Sequence, residues 1–299
     1  MTARRLLVSI ALATLAPAAG ATPQLFATFR DGASPIDTDA LYQVDPSTGA
    51  SSLVAELPVW IWGDITGRTG DADNLYSVVR LPGAAFENQV LTIDAVSGAL
   101  TDLYSFTGSD FGFAPTFGLE LTGITFDPFD SSVATILGAV VDLTFTLPVS
   151  NILFDLDLDT GSVSGLQALV SPGVANDLTY GSDGTLFTNL VSAAPGIITG
   201  LATLDVASGV VAQVCSSTCG FRAMEFDPSS GELYAVTGSG DLVLLSPTTG
   251  ETLETLGATG LGGTLRSVRG LAFVVPEPAT GSLLAIGLAV LAARRRRRS

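Results

Sequence analysis

Histidine and lysine are both absent from the 299 residues, cysteine occurs only twice, and charged side chains make up 14% of the chain. Without histidine there is no Ser-His-Asp or Cys-His nucleophile system and no His-ligated zinc. Without lysine there is neither a phosphate-loop lysine nor a Schiff base. Any catalysis must rest on carboxylates, arginine, tyrosine, hydroxyls or a hard cation, and no metal site or bound cofactor is expected beyond weak calcium association. Cys215 and Cys219 are too few for zinc. In an oxidising compartment they are expected to form a small disulfide that pins a loop, with free thiols as the alternative.

Positive charge is also scarce where it would matter. Arg4 and Arg5 stand at the front and Arg294 to Arg298 at the back, while the residues from 22 to 278 hold six arginines against 29 acids, a balance of −23. Such a body repels phosphate, which argues against nucleic acid or anionic lipid as a partner. Divalent ions and cationic ligands remain compatible, although an acidic surface also simply keeps an exported protein soluble. What the chain has in abundance is apolar residues, 47%, and 33 glycines, enough for a large core and many turns.

The two ends read as targeting segments. Arg4 and Arg5 precede an apolar run from Leu6 to Ala16 and small residues ending in Ala19-Gly20-Ala21. This is the three-part pattern of a secretory signal, with cleavage expected after Ala21, or after Ala19. At the other end Val275-Pro276-Glu277-Pro278 leads into an apolar stretch, Ala279 to Ala293, and then into Arg294, Arg295, Arg296, Arg297 and Arg298. Fifteen residues span about 22 Å as a helix, short for a bilayer, but arginines that snorkel to the membrane surface extend the reach. The arginine cluster places the tail in the cytoplasm and the body outside.

This order of Pro-Glu-Pro, short apolar helix and arginine cluster resembles the PEP-CTERM sorting signal of Gram-negative bacteria. The resemblance covers about the last 25 residues and implies recognition by exosortase, a membrane protease-transferase. It further implies processing near Pro276-Glu277-Pro278 and release or attachment at the cell surface, commonly where exopolysaccharide is made. Exopolysaccharide or another surface component is then a partner of the mature protein, and the membrane is met only through a removable helix.

Between the ends a phrase recurs five times: LYQVDPSTG from Leu41, VLTIDAVSG from Val90, LFDLDLDTG from Leu153, LATLDVASG from Leu201 and LVLLSPTTG from Leu242. Its closing glycines, Gly49, Gly98, Gly161, Gly209 and Gly250, lie 49, 63, 48 and 41 residues apart, the spacing of propeller blades with one insertion. Asp with Ser or Thr hydrogen-bonds its own turn, and Gly takes positive φ, so D-x-x-[ST]-G is expected to join two strands. A second strand-turn-strand phrase precedes most copies, as in RAMEFDPSSGELYAV from Arg222. Four strands per unit and no sustained helical period give an all-β fold, a β-propeller of five blades, or six if the insertion between Phe106 and Thr122 adds strands. Val268 to Val275 is a first strand with no blade behind it, and the chain begins with a blade that lacks one. The last strand is therefore expected to complete the first blade. The expected organisation is residues 1–21 signal peptide, 22–275 propeller and 276–299 sorting signal with a transmembrane helix.

Three places invite chemistry. Asp155, Asp157 and Asp159 resemble the start of a calcium loop, but Thr160 and Leu166 stand where Gly and the bidentate Glu are needed, so a strand entering its turn is the better reading. At the rim of the channel, Asp64 and Asp177 occupy equivalent strand entrances. Together with Asn176 they are candidate oxygen ligands for a cation, and Arg222 and Arg269 are candidates for an anionic group. Two function classes follow. One is a non-enzymatic surface or matrix scaffold, favoured by the missing His and Lys; the other is an extracytoplasmic propeller enzyme such as a calcium-dependent lactonase or a polysaccharide lyase.

Overall fold

The computed structural model describes residues 22–31, 39–59, 61, 63–80, 87–144, 147–191, 200–215, 219–261 and 266–275. The signal-peptide and sorting-tail segments lie outside them. Among the described residues no helix is long and apolar enough to cross a membrane.

The first blade takes β1 (Gln24–Asp31), β2 (Asp39–Val44) and β3 (Ser51–Leu57). The second is β4 (Ile65–Arg68), β5 (Asp71–Arg80), β6 (Asn88–Asp94) and β7 (Leu100–Phe106). The third is β8 (Phe117–Asp127), β9 (Asp130–Asp142), β10 (Leu147–Asp157) and β11 (Val163–Leu169). β12 (Val174–Tyr180), β13 (Leu186–Val191), β14 (Gly200–Asp205) and β15 (Val210–Gln213) make the fourth. The fifth is β16 (Phe221–Phe226), β17 (Leu233–Thr237), β18 (Asp241–Leu245) and β19 (Thr252–Ala258). The last strand, β20 (Arg266–Val274), pairs antiparallel with β1, Leu25 opposite Phe273 and Thr28 opposite Gly270, giving the sheet order β20-β1-β2-β3. The ring is thus closed with five blades by strands from the two ends of the body, as the incomplete first blade foretold.

The insertion does not become a sixth blade. Gly108–Phe111 forms a 3-10 turn, and the remaining extra length goes into β8, β9 and β10, which run to 11, 13 and 11 residues. Phe111 packs on Phe154 at 4.8 Å and on Phe106 at 6.0 Å, so the insertion is anchored by aromatic burial against the existing blade.

The core is divided among the junctions between blades. Each of five apolar clusters draws on two neighbouring blades; Leu25, Val44, Val236, Leu242 and Leu271, for instance, join the fifth blade to the first. Their members are almost entirely buried, and each such side chain contributes about 1.5–3 kcal/mol relative to exposure. Inner strands sit between two neighbours and read as apolar runs, whereas outer strands such as β19 are exposed along most of their length.

The recurrent turns fold as their chemistry requires. Asp45 Oδ1 accepts the Ser47 N–H at 2.8 Å and its hydroxyl at 2.7 Å, and the Gly49 N–H donates to the Asp45 carbonyl at 2.8 Å. The closing glycines of all five copies have φ of +70° or +71°. Positive φ is only half of the reason for glycine. Each closing glycine also abuts the outermost part of the blade before it: a Cβ on Gly98 would sit 2.3 Å from Ala55, and one on Gly49 would sit 2.7 Å from the Gly257 carbonyl oxygen. That second contact, between residues of the first and fifth blades, exists because the ring is closed.

Gly49→Ala and Gly112→Ala therefore separate the two demands. Both positions have positive φ, +71° and +74°, but a Cβ on Gly112 meets nothing within 4 Å. Both variants should carry the left-handed penalty of about 1–2 kcal/mol. Gly49→Ala should lose a further amount of about 1–3 kcal/mol from the collision across the closing junction. Urea unfolding midpoints of the two variants check this, and equal losses would contradict closure at that junction.

Candidate functional site

The five innermost strands, β4, β8, β12, β16 and β20, bring one equivalent position to the channel: Asp64, Gly123, Asp177, Ala223 and Gly270. Sequence alignment placed the two acids on an open rim. Instead both are fully buried within the channel and reach each other. Asp64 Oδ1 accepts the N–H of Ile65 at 2.7 Å, and its Oδ2 accepts the N–H of Leu178, two blades away, at 3.2 Å. Asp177 Oδ2 accepts the N–H of Met224 in the next blade at 2.7 Å. The three other positions are small because the acids fill the space. A Cβ on Gly270 would lie 2.7 Å from Asp64 Oδ1, and one on Gly123 would lie 3.1 Å from the Asp177 backbone. Asp177 itself has φ +69°, a conformation Asp tolerates better than most residues.

Two carboxyls this close and this dry do not both ionise. Burial, then the neighbouring Asp177, raises Asp64 well above the ordinary carboxylate range. Burial pushes Asp177 up to about 7, opposed by hydrogen bonds from Asp64 and from the Met224 backbone. A proton held on Asp64 is shared with the Asp177 carboxyl. The pair is a hydrogen-bonded plug across the channel, its oxygens turned to backbone amides of three blades.

Beyond the plug the channel widens. Two residues further along the inner strands stand Thr66, Thr125, Thr179 and Glu225, and Thr66, Thr125 and Glu225 line a cavity of about 250 Å³ that opens at the strand exits. Glu225 was missed in the sequence, where it reads as one residue of an ordinary strand. The signal was its place: three blades put threonine at that position, and one puts an acid. Glu225 Oε1 accepts the Thr179 hydroxyl at 3.1 Å, while its Oε2 has no partner. Burial first, and then Asp177, raises its pKa well above the ordinary value. The wall above is aromatic, formed by Phe126, Phe129, Tyr180, Phe226 and Phe273.

Arg68 also lines this cavity, its guanidinium over the Phe126 ring. The opposite end of the channel, at the strand entrances, carries Arg222 and Arg269. Arg222 is exposed at the start of β16, and Arg269 is half-buried at the start of β20. Burial lowers the Arg269 pKa, with Arg30 and Arg222 acting the same way against Asp39 and Glu120. Arg80 reaches Glu120 at 3.7 Å. Asn176 lies half-buried at this end, its carbonyl accepting from Thr188 at 3.4 Å. Away from the channel, Cys215 and Cys219 form a disulfide packed on Gly250 between the fourth and fifth blades. The calcium-like acids diverge: Asp155 accepts from Thr135 at 3.1 Å, and Asp157 takes the amides of Asp159 and Thr160, both at 2.9 Å. Among the described residues no group of three or more acids and cysteines is placed to hold a metal ion.

Val275, the last described residue, lines the mouth of the cavity. The chain that follows decides its class. Residues 274–298 match the PEP-CTERM protein-sorting motif. The PEP-CTERM motif implies an exported protein, held transiently at the membrane and processed by an exosortase. It begins on the last residue of β20, so the closing strand of the propeller runs directly into it. Pro276, Glu277, Pro278 and Arg294 to Arg298, like Ala19 and Ala21, lie outside the described residues. No curated protein matches this chain. Among solved structures it is similar to TolB from Acinetobacter baumannii, with TM-score 0.45 and 14% identity over 84% of this chain and 66% of that one. Putative TolB from Agrobacterium tumefaciens has TM-score 0.44 and 15% identity over 84% and 91%, and a putative gluconolactonase has 0.43 and 15% over 80% and 79%. Similarity at that level says nothing of activity.

The plug makes stability depend on pH with a definite sign. From the ordinary Asp value of 3.8 up to about 7 the folded state keeps a proton that the unfolded chain has lost, so stability falls as pH rises through that window. Burial raises Asp64 and Glu225 as well, so both act with the same sign. Asp177→Asn supplies a permanent N–H donor to Asp64, keeps an acceptor for Met224 and suits positive φ. It should raise stability at pH 8 by on the order of 1 kcal/mol and shallow the slope. Asp64→Asn turns an N–H toward an amide that needs an acceptor and should destabilise by about 1–3 kcal/mol. Urea titrations at pH 5 and pH 8 check both the slope and the asymmetry.

Proposed function

We propose that this chain is a surface or extracellular-matrix protein of a Gram-negative bacterium, matured by exosortase, whose propeller serves as a non-catalytic binding scaffold in association with exopolysaccharide. The observation that carries this reading is the PEP-CTERM motif joined without a linker to the strand that closes the ring. Gln24 pairs with Val274, so the two ends of the body leave side by side on the cavity face. The acids best placed for a metal or a base, Asp64 and Asp177, spend their oxygens on backbone amides and on each other, which favours scaffold over lactonase or lyase.

Intact-mass analysis of the protein from its native host tests the maturation. The extracellular form should lack roughly the first 21 residues and everything after Pro276-Glu277-Pro278. Glu277→Ala should leave export intact and block the second cut, so that the tail stays attached. An extracellular wild-type form that still carries Arg294 to Arg298 would overturn the reading.

A further inference from the structure

We propose that the cavity at the strand exits is a binding site for a uronate, the carboxylate-bearing sugar of an acidic polysaccharide, with Arg68 as the group that takes its carboxylate. This deepens the exopolysaccharide-scaffold reading and rests on it. All five inner strands or the turns that follow them contribute to the cavity, so it is a built feature of the ring and not a gap between loops. Its volume of about 250 Å³ suits one small ring better than an extended ligand.

Arg68 is the observation that sets the charge of the ligand. The residues from 22 to 278 hold six arginines against 29 acids, yet among the described residues no carboxylate comes within ion-pair distance of Arg68. Its guanidinium lies 5.8 Å from the centre of the Phe126 ring, and Nη1 donates to the Tyr76 hydroxyl at 3.5 Å, the outer limit of a hydrogen bond. The acid nearest in sequence, Asp71, is turned to its own hairpin, where it accepts from the Asn74 side chain at 3.1 Å and from the Tyr76 hydroxyl at 2.8 Å. A guanidinium carries five donors in a planar fork. One long bond leaves most of that fork unused, and its geometry matches the two oxygens of a carboxylate.

Two acids share the cavity with Arg68, and neither takes its place. Asp227 Oδ1 accepts the Ser229 N–H at 2.8 Å and its hydroxyl at 2.7 Å, and Oδ2 accepts the Ser230 hydroxyl at 3.0 Å, so this carboxylate is spent on its own turn. Glu225 is buried, and burial favours its neutral form. The acidic excess of the rest of the body acts from further away, where salt screens it over about 8 Å at physiological strength. Direct contact with a half-buried guanidinium is screened much less.

The remainder of the lining describes the body of the ligand. Phe126 and Tyr180 offer ring faces to C–H groups, while Thr69 and Ser182 are exposed hydroxyls at the edge. Phe129 is 76% exposed yet held in place: its N–H donates to Asp127 Oδ1 at 2.7 Å, and its ring lies 3.1 Å from where a Cβ on Gly184 would be. A pyranose ring bearing a carboxylate is apolar on its faces, hydroxylated at its rim and anionic at one end. It meets all three chemistries at once, whereas a bare anion would leave the aromatic wall unused.

Saturation-transfer NMR on the full chain, in a detergent that carries neither sugar nor carboxylate, tests this with the methyl glycosides of glucuronate and galacturonate. Methyl glucoside, acetate and sulfate are the competing ligands. At least one uronide should bind in the millimolar range and at least about fivefold more tightly than methyl glucoside. Arg68→Ala should weaken it by about tenfold and Arg68→Lys, which keeps the charge but not the fork, by about threefold to fivefold. Phe129→Ala should weaken it by about threefold, and it keeps the test intact if Arg68→Ala does not fold. Arg222→Ala, at the other end of the channel, should leave binding unchanged. The proposal fails if neither uronide binds at tens of millimolar, if methyl glucoside binds as tightly, or if binding survives both Arg68→Ala and Phe129→Ala. It also fails if Arg222→Ala abolishes binding, or if acetate or sulfate displaces the uronide at equal concentration. None of these results alters the masses of the processed protein, so failure here is distinct from failure of the maturation reading.

Discussion

The pairing of β20 with β1 is the constraint on which everything else depends. It joins strands that lie some 240 residues apart in sequence, so its loop-closure entropy must be recovered from contacts that form only once the ring is complete. Those contacts are visible on both sides of the first blade: Leu271 packs toward the fifth blade, and Ala272 and Val274 pack toward the second. Closure removes the two open edges that an array of five blades would otherwise present. It also sets the two ends of the body, Gln24 and Val274, side by side.

A ring of five leaves a narrow channel, and the interior follows from that width. Two of the five equivalent positions hold acids, and at Gly270 even a Cβ would lie 2.7 Å from Asp64 Oδ1. The carboxyls that fill the channel are dry, so one keeps its proton and the pair becomes a hydrogen-bonded strut between blades rather than a ligand set for an ion. On the exit side of this strut the next layer is polar but less crowded, and the cavity begins there. One dimension of the fold thus decides both why the acids are structural and why the cavity begins beyond them.

Much of this was legible before any coordinates. The closing glycines of the five turns were read from spacing and turn chemistry, and all five adopt the positive φ that chemistry demands. Closure was legible because the first blade was one strand short and the last segment one strand over. What could not be read was distance across the channel. Alignment placed Asp64 and Asp177 at equivalent positions, but whether they face open solvent or each other depends on the ring diameter, which no local pattern encodes. Glu225 escaped for a related reason: a lone acid in an apolar strand means nothing until the threonines at the matching positions of three other blades are seen to share a layer with it. The insertion after Phe106 was ambiguous because phenylalanine-rich segments suit strands and aromatic anchors equally.

If closure is the constraint that makes the body one structure, β20 must be as hard to open as the centre of any blade. Native-state hydrogen exchange at increasing urea measures this directly, comparing β20 amides at Leu271 and Phe273 with those of Ile136 and Leu137 in β9. The account predicts that both sets exchange with the same free energy and the same urea dependence, that of global unfolding. Exchange of the β20 amides at a clearly lower free energy, with little dependence on urea, would mean that the ring opens locally while the blades persist, and would contradict it.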